Sequence, residues 1–66
     1  MEIVVNGERR KVGAGANIRS LLRDLDLPES RVAVERNRAI VRKTDYAGTG
    51  LVEGDRIEIV TFVGGG

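Results

Sequence analysis

The 66-residue chain is 41% hydrophobic and 32% charged, the balance of one small globular domain that buries only about 60% of its unfolded surface. It has no cysteine and no histidine, which excludes disulfides, zinc fingers, thiol nucleophiles and imidazole bases and leaves packing alone to stabilise the fold. Net charge is +1 with the signs interspersed, and aromatic residues make up 3%, so the basic stripe and stacking rings of a nucleic-acid binder are missing and no nucleic-acid partner is expected.

The start, MEIVVNGE, lacks a basic region ahead of an apolar stretch, and no apolar run reaches membrane-spanning length. A cytoplasmic chain with no membrane contact is therefore the expectation. Residues 2–5 are rich in β-branched side chains and read as a strand, and Asn6 with Gly7 is a strong hairpin signal. Residues 8–12 return as an exposed second strand. Asn17 is a good N-cap, and Ile18, Leu21, Leu22 and Leu25 form one apolar stripe on a helix that Pro28 ends, with Leu27 folding back onto the core. Residues 31–35 alternate as a strand with Val32 and Val34 on one face, residues 36–38 read as a turn, and residues 39–41 as a short strand. Residues 43–50 are irregular, with Tyr46 as their single large anchor, and Leu51 is a candidate plug. A turn at Glu53, Gly54 and Asp55 leads into the longest strand pattern, residues 56–63.

The order hairpin, helix, strand, short strand, loop, long strand predicts an α+β fold with one helix packed on one face of a small mixed sheet. The first and last strands are expected to lie centrally and parallel, joined through a right-handed crossover. This is the β-grasp, or ubiquitin-like, arrangement. Its predicted core is Ile3, Val5, Ile18, Leu21, Leu22, Leu25, Val32, Val34, Ile40, Leu51, Ile57 and Ile59. Residues 1–63 make one domain, and residues 64–66 are expected to be a flexible glycine tail.

Several clusters read as structure rather than chemistry. Gly13 and Gly15 before the helix lack the Gly-Lys-Ser/Thr element of a phosphate loop. Arg9, Arg10 and Lys11 suit a solvated edge strand, and Asp24 with Asp26 suits a helix end. The last strand carries more. With Glu58 facing water, Val60 and Phe62 also face outward, beside the tail, and Ala33 shares that face. Such a contiguous apolar patch suggests a docking surface. The tail of Gly64, Gly65 and Gly66 has no Cβ to obstruct passage through a narrow channel, and its reactive group is the α-carboxylate of Gly66. A carboxylate reacts as an electrophile only once activated, for example as an acyl-adenylate.

These segments together resemble the ThiS family of sulfur carriers of thiamine biosynthesis. VNGE at residues 5–8 resembles the family's first hairpin, NIRSLLRDLDL its helix, and VAVERNRAIVRKTDY at residues 32–46 its middle. EGDRIEIVTFVGGG at residues 53–66 is similar to its functional terminus, although the shared motif is Gly-Gly and this chain has three glycines. The resemblance implies a protein co-substrate, not an enzyme, that binds no metal or cofactor itself. A ThiF-like adenylating enzyme would use ATP with magnesium to activate the Gly66 carboxylate. Sulfur from a persulfide donor would then give a thiocarboxylate, and a ThiG-like thiazole synthase would accept it. Gly65 and Gly64 would thread into these partners, Val60, Phe62 and Ala33 would dock them, and the free carrier would be a monomer. The small subunit of molybdopterin synthase is the nearest alternative, and a non-covalent β-grasp interaction module with an inert tail is the other.

Overall fold

Residues 1–62 are described by the structure, a computed structural model. Strand β1 (Glu2–Val5) turns into β2 (Glu8–Lys11) at Asn6 and Gly7, whose φ values of 50° and 83° put both turn residues in the left-handed region. Two successive positive φ values make the tight hairpin turn whose twist matches its strands, which Asn-Gly adopts at little cost. Helix α1 (Ile18–Asp24) begins at Asn17, whose side chain accepts the Ser20 N–H while the Ser20 hydroxyl accepts the Asn17 N–H. This reciprocal cap satisfies two donors that a helix start otherwise orphans. At the far end Asp26 takes φ 59°, the Leu27 N–H reaches the Leu22 carbonyl, and the Asp26 N–H reaches the Arg23 carbonyl. That pair is a Schellman closure, and it turns Leu27 back against the core as expected.

A 3₁₀ turn at Glu29–Arg31 leads to β3 (Val32–Arg36), and a two-residue turn joins it to β4 (Ala39–Val41). After a second 3₁₀ turn at Lys43–Asp45, the chain runs through Leu51 to β5 (Arg56–Thr61). The strands lie in the order β2-β1-β5-β3-β4, with β5 parallel to β1 and antiparallel to β3. The first and last strands are thus central and parallel, and α1 covers one face through Ile18, Leu21 and Leu22. The architecture is the α+β β-grasp fold.

The core comprises Ile3, Ile18, Leu21, Leu22, Val32, Val34, Tyr46, Leu51, Ile57 and Ile59, with Val5 and Leu25 half-buried against it. Two departures from the predicted core stand out. Ile40 is 80% exposed, because it stands opposite Glu35 and so shares the outward parity of β3; Val41, opposite Val34, turns inward instead. Tyr46 is 1% exposed and fills the space beneath the segment that lacked any periodic signal. Smaller differences concern ends. The regular helix stops at Asp24, β2 stops at Lys11, and Thr61 is exposed although its partner Val32 is buried. Val63, placed in the last strand by its pattern, lies outside the described residues.

Candidate functional site

The candidate site is built on β5. Ile57 and Ile59 point into the core, so strand alternation sends Arg56, Glu58 and Val60 to the face opposite the helix. Ala33 stands directly across from Val60 in the β3–β5 register, and both are exposed, Val60 at 60%. Phe62 follows the strand end; its N–H donates to the Arg31 carbonyl at 2.8 Å, which prolongs the pairing with β3, and its side chain is 53% exposed. Val60 and Ala33 therefore stand side by side on the outer face, with Phe62 exposed just beyond the strand end. The proposed tail residues Gly64, Gly65 and Gly66 lie outside the described residues.

Two features of this face escape a reading by pattern. Exposed Ile40 belongs to it, on the rung Glu58–Glu35–Ile40 that adjoins the Val60–Ala33 rung. On that same rung two carboxylates stand directly opposite each other, an arrangement that opposes folding slightly. Among the described residues the ion pairs are Arg19–Glu29 and Arg36–Asp55, so neither Glu35 nor Glu58 has a cation in contact. The face thus combines apolar side chains with two carboxylates that make no ion pair among the described residues, with Arg56 beyond Glu58 on the same strand face. The two-residue turn between β3 and β4, where the sequence reads as a turn over residues 36–38, sets the parity of Ile40.

Polar side chains hold β5 at its start and at Ile59. At its start Asp55, 3% exposed, accepts from the Val52 N–H at 2.9 Å and from Arg36 Nε and Asn37 Nδ2 at 3.0 Å each. Burial pushes the Asp55 carboxyl up, but the Val52, Asn37 and Arg36 hydrogen bonds and the Arg36 charge outweigh it and hold the group below the usual carboxylate range. Farther along, the Asn6 carboxamide bonds both main-chain groups of Ile59. A strand fixed in this way presents its outer side chains in one geometry.

The model of the ThiS family matches residues 3–66 of the chain. The chain belongs to the ThiS family. The crystal structure of the thiamine biosynthesis protein ThiS from Geobacter metallireducens superimposes with a TM-score of 0.84 at 30% identity, each chain covered in full. The sulfur carrier protein ThiS of Bacillus subtilis is 47% identical over 49 residues, 74% of either chain. A thiazole synthase from Paramagnetospirillum magneticum is 46% identical over all 66 residues, yet this ThiS-family chain spans only 20% of that protein's length.

Proposed function

We infer that this ThiS-family chain is a sulfur carrier of thiamine biosynthesis, consumed and regenerated as a protein co-substrate. The observation that carries the reading is the likeness to ThiS proteins along the whole chain, in sequence and in fold. The chain's chemistry agrees with it. Without cysteine the chain cannot store sulfur as its own persulfide, and the Gly66 α-carboxylate is the group suited to hold it.

The reaction proceeds on that carboxylate. One of its oxygens attacks the α-phosphorus of ATP, with magnesium supplied by a ThiF-like adenylating enzyme; pyrophosphate leaves and an acyl-adenylate remains. The terminal sulfur of a persulfide donor attacks the acyl carbon and AMP departs. A thiol then cleaves the sulfur–sulfur bond, leaving the Gly66 thiocarboxylate and a disulfide. A thiazole synthase is the sulfur acceptor, a reading supported by the thiazole synthase that shares this domain. Gly65 and Gly64 pass through the partner's channel, since residues without Cβ let another backbone come close. Docking on Val60, Phe62 and Ala33 supplies binding energy away from the reacting carbon, where it assists catalysis by holding that carbon in place. The acidic rung of Glu35 and Glu58 suits a partner that offers a basic side chain beside an apolar one.

Intact mass measured after incubation with ATP, a persulfide donor and a ThiF-like enzyme tests this reading. The expected gain equals the exchange of one oxygen for sulfur at the C-terminus; an unchanged mass with a competent enzyme overturns it. The docking face has its own test. Phe62→Asp puts a charge where an exposed ring stood and keeps the backbone bond to Arg31, so its melting temperature stays close to that of the parent chain. Its affinity for the adenylating enzyme falls by about tenfold or more, the effect of losing an aromatic anchor. Calorimetric titration beside a thermal melt separates the two; a large melting loss would place the ring in the core.

A further inference from the structure

The β1–β5 ladder contains two paired rungs, Val4 with Arg56 and Val5 with Ile57. Beyond Val5 the main chain of β1 turns away into the hairpin, yet β5 continues to Thr61. At this point one side chain replaces the missing strand. The Asn6 N–H donates to the Ile57 carbonyl at 2.9 Å. The Asn6 carboxamide then donates through Nδ2 to the Ile59 carbonyl at 3.1 Å and accepts the Ile59 N–H on Oδ1 at 2.7 Å. A carboxamide carries one donor group and one acceptor in a plane, as a peptide group does, so it can serve as one further rung. Past Ile59, the described hydrogen bonds of β5 run to β3 alone.

We propose that Asn6 is a positioning residue for the carrier terminus, holding the β1 side of β5 at Ile59 so that the chain runs on through residues 60–62 along one course. The proposal rests on the carrier reading, and it concerns how the reacting carboxylate is delivered rather than how the partner is recognised. Val60 and Ala33 are held together by β3, so docking survives without Asn6. The aim of the strand end does not, and a misaimed reacting group lowers turnover more than binding.

The fold supplies a matched control. Asn37, at the corner of the other hairpin, has φ 51° against 50° for Asn6. It also ties β5 by side chain and main chain, its Oδ1 accepting the Arg56 N–H at 2.9 Å and its N–H donating to the Arg56 carbonyl at 2.7 Å. It acts at the start of the strand, far from the terminus. Glycine tolerates positive φ, so Asn6→Gly and Asn37→Gly keep each turn and remove only the side-chain bonds.

The test is the steady-state adenylation of the 66-residue chain by a ThiF-like enzyme, alongside thermal melts and amide exchange. Both variants are expected to lose melting temperature. Only Asn6→Gly is expected to lower kcat, by about fivefold or more, with KM within about twofold. The Ile59 amide should exchange faster in Asn6→Gly alone. Asn6→Asp, which keeps the acceptor and loses the donor, should give an intermediate kcat, and it carries the test if the glycine variant does not fold. Activity losses that track melting temperature equally in the Asn6 and Asn37 variants overturn the proposal, as does parental kcat in Asn6→Gly. A parental chain that is never adenylated overturns the carrier reading itself, and this assay tells that result apart from the other two.

Discussion

Removal of Gly66 is expected to abolish thiocarboxylate formation and to leave the fold intact. Among the described residues the core runs from Ile3 to Ile59 and none lies beyond it, so the thermal melt of the shortened chain should overlay that of the parent. The chemistry is far less tolerant. The truncated chain still ends in a glycine carboxylate, but that carboxylate falls short by one residue, roughly 3.3–3.6 Å of reach. Misplacing a reacting group by about 1 Å already costs on the order of a hundredfold in rate, so turnover drops below detection. Intact mass after incubation with ATP, sulfur donor and activating enzyme checks it. A shortened chain that still gains sulfur would move the reactive group elsewhere; one that fails to fold would place the terminus in the core. The second outcome would also undo the division of β5 into anchoring and docking residues.

Much of this fold could be read from local signals that agree with one another. Asn6 and Gly7 announced the hairpin, and their positive φ values are what that pair does best. The stripe from Ile18 to Leu25 and the cap at Asn17 placed the helix, whose capping bonds run over only three residues. Alternation along residues 56–62 put Val60 on the outer face, and the register then set Ala33 opposite it. Ile40 departs from the predicted core because a three-residue strand has too little alternation to reveal its parity, which the two-residue turn seen in the structure sets. The Asn6–Ile59 bonds are a different case. They span 53 residues and their acceptor and donor are main-chain groups, so no side-chain pattern could point to them. Tyr46 reads as the anchor of residues 43–50 but not as core for a third reason: that segment has no period, and burial there follows from where the loop docks.

That docking gives Tyr46 the largest expected effect on stability of any single side chain. The Tyr46 carbonyl accepts the Arg19 N–H at 3.2 Å and the Thr49 carbonyl accepts the Ile18 N–H at 3.1 Å, so the loop satisfies donors at the start of α1. The Leu51 N–H in turn reaches the Ala16 carbonyl at 2.9 Å. The Tyr46 ring is the anchor that holds this loop against the helix. Tyr46→Ala removes a fully buried aromatic side chain and leaves a cavity, a change that costs about 3–5 kcal/mol. A domain of this length has roughly 3–10 kcal/mol to lose, so the variant is expected to be largely unfolded or to melt far below the parent. Tyr46→Phe keeps the ring and gives up only the hydroxyl. Burial, and then the charge of Glu29, push the phenol upward from its ordinary range, so the group stays neutral at physiological pH. The hydroxyl makes no hydrogen bond among the described residues, so its loss costs far less than the cavity, and the phenylalanine chain should fold and accept sulfur normally. Urea unfolding of the two variants separates packing from polarity. Near-parental stability in Tyr46→Ala would mean that the loop is held by its backbone bonds alone, and the thin core would then have to close without its largest member.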